Sequence, residues 1–327
     1  MQQLVNLCVT PEPGHLFGNW QEAHRFLSQL QLDGFEIGPF GSVSPEPLVS
    51  HLNGRGRGLH LSFFPEFYQL WSSARQYHTA GGVERMRRLY QLDTQEQLIE
   101  RYRSQFDLAS RVGAEYVVFH PVLCHREGVY RQQFPWRWQD SLRLCAELLN
   151  AALENSPFRG HLLFENLWWQ QSFRLAERQE YDKLRHWVNY DRCGICFDTG
   201  HFMADQGDLS NHATGIARAV AHIHRLDLAP EIRVLHLNAS LGGALALPNP
   251  NRNVPKGEFW WELEQDLNHI SQIDAHQPLR CSAEVLVEAL SPDFIVHELR
   301  QSSLSQWRRD ILIQQQSLTS LRMAATG

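Results

Sequence analysis

Short apolar runs, each closed by a polar or Gly/Pro break and followed by a segment of helical period, constrain this chain more than any other feature. They are LVNLCVT (4–10), GFEIG (34–38), GLHLSFF (58–64), EYVVFHP (115–121), HLLFEN (161–166), GICFDT (194–199), IRVLHLN (232–238) and EVLVEA (284–289). Between them lie amphipathic stretches such as NWQEAHRFLSQLQ, TQEQLIERYRSQFDLASRVG, WQDSLRLCAELLNAALENS and WWELEQDLNHISQI. Their apolar residues recur at three- and four-residue spacing, as helices lying on a sheet require. Strands alternating with helices specify an α/β fold with a parallel sheet. No Gly-x-Gly-x-x-Gly turn follows the first run, which weakens a dinucleotide-binding open sheet. The repeated βα units fit a closed (β/α)8 TIM barrel, read as a single domain over residues 1–327.

The segment 65–95 is longer than an ordinary βα loop and carries FYQLW, ARQYH and RMRRLY. It reads equally as a lid over the barrel mouth or as a solvated helical excursion. The close of the chain, SLTSLRMAATG, reads as a frayed end. Hydrophobic residues at 43% and charged residues at 20% fit a protein with a substantial core. A net charge of −6 offers no global positive field for nucleic acid or an acidic membrane surface. Six scattered cysteines suggest no disulfide framework, and the reducing cytoplasm is the expected compartment. The N-terminus lacks the features of a signal peptide, and no apolar run is long enough for a membrane span. Cys193 and Cys196 form a C-x-x-C, but one that runs into a strand rather than a helix N-terminus, so no redox role is expected.

In such barrels the chemistry sits at the carboxyl ends of the strands. The candidate strands end on His60, His120, Glu165, Asp198 followed by His201, His236 and Glu288, all of metal-ligand type. A lone His in such a place is more often a satisfied rim residue, but a lone Glu closing a buried strand is costly to desolvate. Glu165, Asp198 and Glu288 around one axis would repel one another, which calls for a cation among them. Mixed imidazole and carboxylate donors suit one or two divalent transition ions (Zn, Mn, Fe or Co) better than Ca²⁺ or Mg²⁺ alone.

FHP (119–121), FEN (164–166), GICFDTGHFMADQGDL (194–209), LHLNAS (235–240) and VLVEALSPD (285–293) resemble motifs of the endonuclease IV family. That family belongs to the wider superfamily of xylose-isomerase-like TIM barrels, which includes sugar and sugar-phosphate isomerases and epimerases. LDGFEIG (32–38) is closer to those isomerases. Carried over, the resemblance implies one metal held by His60, His120 and Glu165. It implies a second held by Glu165, Asp198, His236 and Glu288, with Glu165 bridging and Glu284 as the fallback for the last ligand. Endonuclease IV enzymes hold a third metal with the His after DT-x-H, here His201, and an Asp-x-His after strand seven. The latter pair is expected to be replaced by Asn251 and Asn253 of NRN, poor ligands for a transition metal.

Loss of that third site argues against abasic-DNA repair, since a phosphodiester cut would use a Lewis acid there. Isomerase or epimerase chemistry on a small sugar-like or phosphorylated substrate is therefore the leading expectation, with Glu165 and Glu288 moving a proton and His201 touching a substrate hydroxyl. Sugar epimerases of the superfamily place an acidic residue and an Arg after the strand-seven His, and HLNASLGGALALP contains no Arg. The alternative is a phosphodiesterase of the endonuclease IV type, with Arg85, Arg87 and Arg88 tracking a phosphate backbone. A multinuclear iron oxidase is a further alternative. A small molecule is the favoured partner over nucleic acid or membrane, and the oligomeric state is left open.

Overall fold

Parallel pairing runs unbroken from the first strand to the last and back to the first, closing a barrel in the order β1 to β8. The computed structural model describes residues 1–10, 16–39, 41 and 43–318. The strands are β1 (Gln2–Val9), β2 (Gly34–Pro39), β3 (Gly56–His60), β4 (Tyr116–Phe119), β5 (His161–Glu165), β6 (Cys193–Asp198), β7 (Ile232–Leu237) and β8 (Phe294–His297). The helices are α1 (Trp20–Leu30), α2 (Pro45–Leu52), α3 (Gly82–Tyr90), α4 (Gln95–Val112), α5 (Arg126–Arg131), α6 (Trp138–Leu153), α7 (Arg178–Trp187) and α8 (Thr199–Asp205). They continue with α9 (His212–Leu226), α10 (Phe259–Ile273), α11 (Glu284–Leu290) and α12 (Leu304–Gln316).

Side-chain alternation along the strands divides two cores. Outward residues such as Leu7, Ile37, Val117, Phe164 and Leu235 pack against the surrounding helices. Inward residues Leu4, Tyr116, Val118, Leu163, Cys196, Val234, Phe294 and Val296 fill the barrel. Because the period is two, the next inward position beyond this apolar layer carries the polar strand ends. Gly58 belongs to the same inner layer, and a Cβ there would overlap the Tyr116 ring. The tyrosine thus reaches across the barrel only because β3 has no side chain at that point. Helix starts follow local chemistry: Asn19, Thr94, Asn211 and Ser303 each accept a backbone N–H of the helix they open.

One expected strand is not a strand. Residues 284–289 lie in α11, whose buried Leu286, Val287 and Leu290 have helical spacing while Val285 and Glu288 face solvent. The eighth strand is the short run FIVH at Phe294–His297, which pairs with β7 and β1. Two apolar runs separated only by Ser-Pro-Asp cannot be told apart by period alone over so few residues. The third strand also ends early, at His60, and residues 61–64 leave the barrel wall.

Segment 65–95 contains short 3-10 turns at Phe67–Leu70 and Ser72–Tyr77 and then α3. The expected frayed end falls largely on residues 319–327, outside the described residues, while Ser317 and Leu318 are buried. Among the described residues no helix is long and apolar enough to cross a membrane.

Candidate metal centre

At the carboxyl end of the barrel the strand ends converge. Glu165 and Asp198 are the last residues of β5 and β6, His60 is the last of β3, and His236 lies one before the end of β7. His120 follows β4, and His201 sits in the first turn of α8. Glu165, Asp198 and His236 are fully buried and His201 nearly so.

The structure groups these residues with three that the sequence reading did not select. His60, His120 and Glu165 form one set of donors, and Glu165, Asp198, His236 and Glu298 form a second. His201, Asp274 and His276 form a third, and within each set the donor atoms lie within 4.8 Å of one another. A further combination, Glu165, Cys196 and His236, overlaps the second set. Cys196 belongs to the apolar layer beneath, where burial pushes its thiol well above its usual value. Its partner in the C-x-x-C, Cys193, lies three residues away on the opposite face of β6 and donates to the Tyr190 carbonyl.

Two corrections follow. Glu288, expected as the last ligand and as a catalytic carboxylate, is exposed on α11 and lines a cavity at the opposite end of the barrel. Glu284, the fallback, is on the same helix. The inward position after β8 belongs to Glu298, whose Oε2 lies 3.0 Å from His236 Nδ1. Asn251 and Asn253 are exposed in a loop before α10 and take no part in the site. The Asp-x-His sought there stands instead as Asp274-Ala275-His276, directly after α10. An antiparallel bridge between Ala239 and Gln277 ties it beside the end of β7. The sequence signal was present in both places: DAH after an amphipathic helix, and an acidic residue after FIVH.

Except in His120, whose Nδ1 is buried without a hydrogen-bond partner among the described residues, each imidazole has its outer nitrogen fixed by a neighbour. His60 Nδ1 donates to the Leu61 carbonyl at 3.0 Å, which leaves Nε2 facing Glu165 Oε2 at 3.1 Å. His201 Nδ1 donates to the Asn166 carbonyl at 3.0 Å, and its Nε2 is 2.9 Å from Asp274 Oδ2. His276 Nδ1 donates to the Glu298 carbonyl at 3.2 Å and presents Nε2 to Asp274 at 3.1 Å. His236 Nε2 donates to Glu36 Oε2 at 3.0 Å, an oxygen that also accepts the Tyr116 hydroxyl at 2.9 Å. Buried Glu36 therefore fixes the tautomer that turns His236 Nδ1 toward Glu165 and Glu298. Outer carboxylate and carbonyl partners of this kind are how proteins orient imidazole ligands.

The donor set fits cations. Glu165 Oε1, His236 Nδ1 and Glu298 Oε2 are buried without a hydrogen-bond partner among the described residues. Leaving such a group unsatisfied costs about 1–3 kcal/mol each, and here all three belong to one set. His236 Nδ1 lies 3.0 Å from Glu298 Oε2 and 3.4 Å from Glu165 Oε1. Donors held on one ion by bonds of about 2.1 Å stand roughly 3.0–3.4 Å apart. Asp198 is also the N-cap of α8, accepting the His201 backbone N–H at 2.6 Å and the Asn238 side chain at 2.6 Å. A structural duty thus falls on that strand end beside its place in the donor set.

Charge at the centre is strongly perturbed. Burial pulls the Glu165 carboxyl up, but the imidazoles of His120 and His236 outweigh it and hold it well below its usual range. Burial and the neighbouring Glu298 and Glu165 carboxylates push Asp198 up to about 7 against the opposing effect of His201. Burial alone would lower His60 and His276, yet Glu165 raises the first to about 9 and Asp274 the second to about 10.

A chamber of about 710 Å³ opens above the donors, within the size range of small-molecule sites. Phe63, Phe64 and the stacked Trp168 and Trp169, 4.2 Å apart, form walls, while α3 and α10 contribute Arg85, Leu89, Leu263, Leu267 and Ile270. The charges of Arg85, Arg126 and Asp266 in this roof are paired, while Arg101, which also lines the chamber, makes no ion pair among the described residues. Arg85 reaches Glu66 at 2.6 Å and Asp266 at 3.5 Å, and Arg126 and the Tyr130 hydroxyl also bind Asp266 at 2.9 and 2.8 Å. Arg87 pairs with Glu84 and Asp93, and the Arg88 guanidinium lies 3.7 Å from the Phe259 ring centre. None of the three arginines stands as an unengaged phosphate contact.

Among solved structures, endonuclease IV from Thermus thermophilus is 16% identical, with 98% of this chain and 100% of that one covered and a TM-score of 0.53. A D-tagatose 3-epimerase-like protein is 14% identical, with 99% and 100% covered and a TM-score of 0.52. A sugar phosphate isomerase/epimerase from Parabacteroides distasonis is 10% identical, with 97% and 94% covered and a TM-score of 0.50. At these identities the likeness is one of fold. No curated protein matches this chain. The family profile described as xylose isomerase-like TIM barrel matches residues 77–271, more than half of the sequence, and the chain belongs to that family.

Proposed function

We propose that this protein is a multinuclear metal-dependent hydrolase acting on a phosphoester of a small, partly apolar molecule. The observation that carries the reading is the third donor set, His201 with Asp274 and His276. Its expected loss had argued for isomerase chemistry, and that argument is gone. The mixed donors favour Zn, Mn, Fe or Co. Ions held by these donor sets would supply an activated water and charge stabilisation for the oxygen leaving phosphorus.

The chain's own residues do the rest. Glu165 joins the first set to the second by offering Oε2 to His60 and His120 and Oε1 to His236. Glu36 and Tyr116 hold His236 in one orientation, and the Asn166 carbonyl does the same for His201. The aromatic walls and the roof of α3 and α10 narrow the chamber, and a substrate filling it would displace water and strengthen the electrostatic interactions beneath. Segment 65–95 is, in this reading, the lid of one catalytic domain spanning the chain. The pairing of Arg85 and Arg87 and a net charge of −6 favour a small molecule over duplex nucleic acid. Six cysteines, none in a disulfide, are in keeping with a cytoplasmic setting.

A second reading keeps isomerase or epimerase chemistry, favoured by Glu165 and Glu298 facing one another within the four-donor set. Protein loaded separately with each of the four ions, then offered phosphate monoesters, diesters and sugar phosphates in heavy water, separates the two. Release of phosphate or alcohol, abolished by a chelator, supports the hydrolase. Deuterium entering a substrate C–H bond without any hydrolysis rejects it in favour of the second reading.

A further inference from the structure

α10 leaves most of its side chains outside the core: among its 15 residues only Asp266 and Ile273 are buried. Trp260, Leu263, Leu267 and Ile270 recur at three- and four-residue spacing and so share one face of the helix. The inner three line the chamber over the donor groups. Trp260 is 63% exposed and Leu267 57% exposed. At roughly 1.5 Å per residue, the stripe from Ile270 to Trp260 runs about 15 Å outward. Asp274, a donor of the third set, directly follows the inner end of the same helix.

Scattered exposed apolar residues need no explanation. A row that begins in the chamber over the donor groups and ends in solvent is different, because it offers a continuous apolar track into that chamber. Arg85 and Asp266, beside the inner part of the row, are already paired with each other and with Glu66 and Arg126, and the Arg88 guanidinium lies against the Phe259 and Trp260 rings at its outer end. An apolar group lying over Leu263, Leu267 and Ile270 would leave the Arg85–Asp266 pairing intact. A ligand polar on every side would leave the row wet and gain nothing from it.

We infer that the substrate is an amphiphile, with an oxyanion head at the donor sets and an unbranched apolar tail laid along Ile270, Leu267, Leu263 and Trp260. The head rests on the phosphoester reading; the tail rests on the stripe alone. The test is calorimetric binding of alkyl phosphates, from ethyl to dodecyl, to the metal-loaded protein, with decanol alongside as a probe lacking the head. Affinity is expected to climb with each methylene, by up to about fourfold where burial is complete, and to level off once the tail reaches Trp260. Leu267→Asp, at a largely exposed position, is expected to pull dodecyl phosphate back toward the affinity of ethyl phosphate and to abolish decanol binding. A flat series in which ethyl phosphate still binds overturns the tail and leaves the phosphoester reading standing. Decanol binding that Leu267→Asp abolishes, with no alkyl phosphate bound, upholds the tail and rejects the head. Self-association through Trp260 with a flat series reassigns the stripe to a second copy of the chain and overturns the proposal.

Discussion

Glu298→Gln, compared with Glu288→Gln, isolates the assignment of the last donor. Glu298 Oε2 is buried, without a hydrogen-bond partner and 3.0 Å from His236 Nδ1, whereas Glu288 is exposed at the other end of the barrel. Removing even an outer partner of a ligand typically weakens metal affinity 10–100-fold, so losing a donor itself should weaken it by about 100-fold or more. Metal at 100 times its dissociation constant stabilises the folded state by about 2.7 kcal/mol, and at a concentration equal to that constant by only about 0.4 kcal/mol. Unfolding entropy of about 2.1 cal/mol/K per residue gives roughly 690 cal/mol/K for 327 residues. The metal-induced rise in Tm should therefore be about 4 °C in the parent protein and in Glu288→Gln, and under about 1 °C in Glu298→Gln. Differential scanning fluorimetry with and without the ion reads the difference directly. An undiminished rise in Glu298→Gln, or its loss in Glu288→Gln, would refute the reasoning.

Other outcomes follow from the same geometry. Gly58→Ala forces a methyl group into the Tyr116 ring and should cost about 1–3 kcal/mol in chemical denaturation, with Tyr116 no longer able to hold Glu36. Metal uptake should release protons at neutral pH, because His60 and His276, raised to about 9 and 10, must lose theirs to bind. Titrations in buffers of differing ionisation enthalpy measure that release, and affinity should rise with pH up to about 9 at the set containing His60 and about 10 at that containing His276. The sign for the metal-free protein is the reverse. Stability from these imidazoles is complete below about 6.5 and is lost as pH climbs through 9 and 10, so its Tm should fall across that range. Asp266→Ala removes the hub of Arg85, Arg126 and Tyr130, although Arg85 keeps Glu66 and Arg126 keeps Glu262. It should destabilise the protein by about 1–3 kcal/mol and speed amide exchange in α3 beyond that in α6.

The strand ends were legible because period two and residue chemistry coincide. Glu165 and Asp198 each close an apolar run, His60 sits near the start of one whose strand ends on it, and the pleat then fixes which side of the wall they face. Glu298 was missed because VLVEAL and FIVH are both short and apolar, and only barrel closure decides which of them pairs with β1. Asp274 and His276 stand on no strand at all. The motif DAH is visible in the sequence, but it reaches the site only because α10 returns the chain and the Ala239–Gln277 bridge holds its end against β7, a long-range contact that the motif does not announce. The roof was legible in part: aromatic and arginine content marked 65–95, but the pairing of Arg85 with Asp266 depends on a helix some 180 residues later.

Anomalous diffraction from crystals grown with a single transition ion addresses the claim on which the site depends. Peaks are predicted between His60, His120 and Glu165, between Glu165, Asp198, His236 and Glu298, and between His201, Asp274 and His276. A saturated crystal in which ions lie only on surface histidines, with those three positions dark, would contradict it.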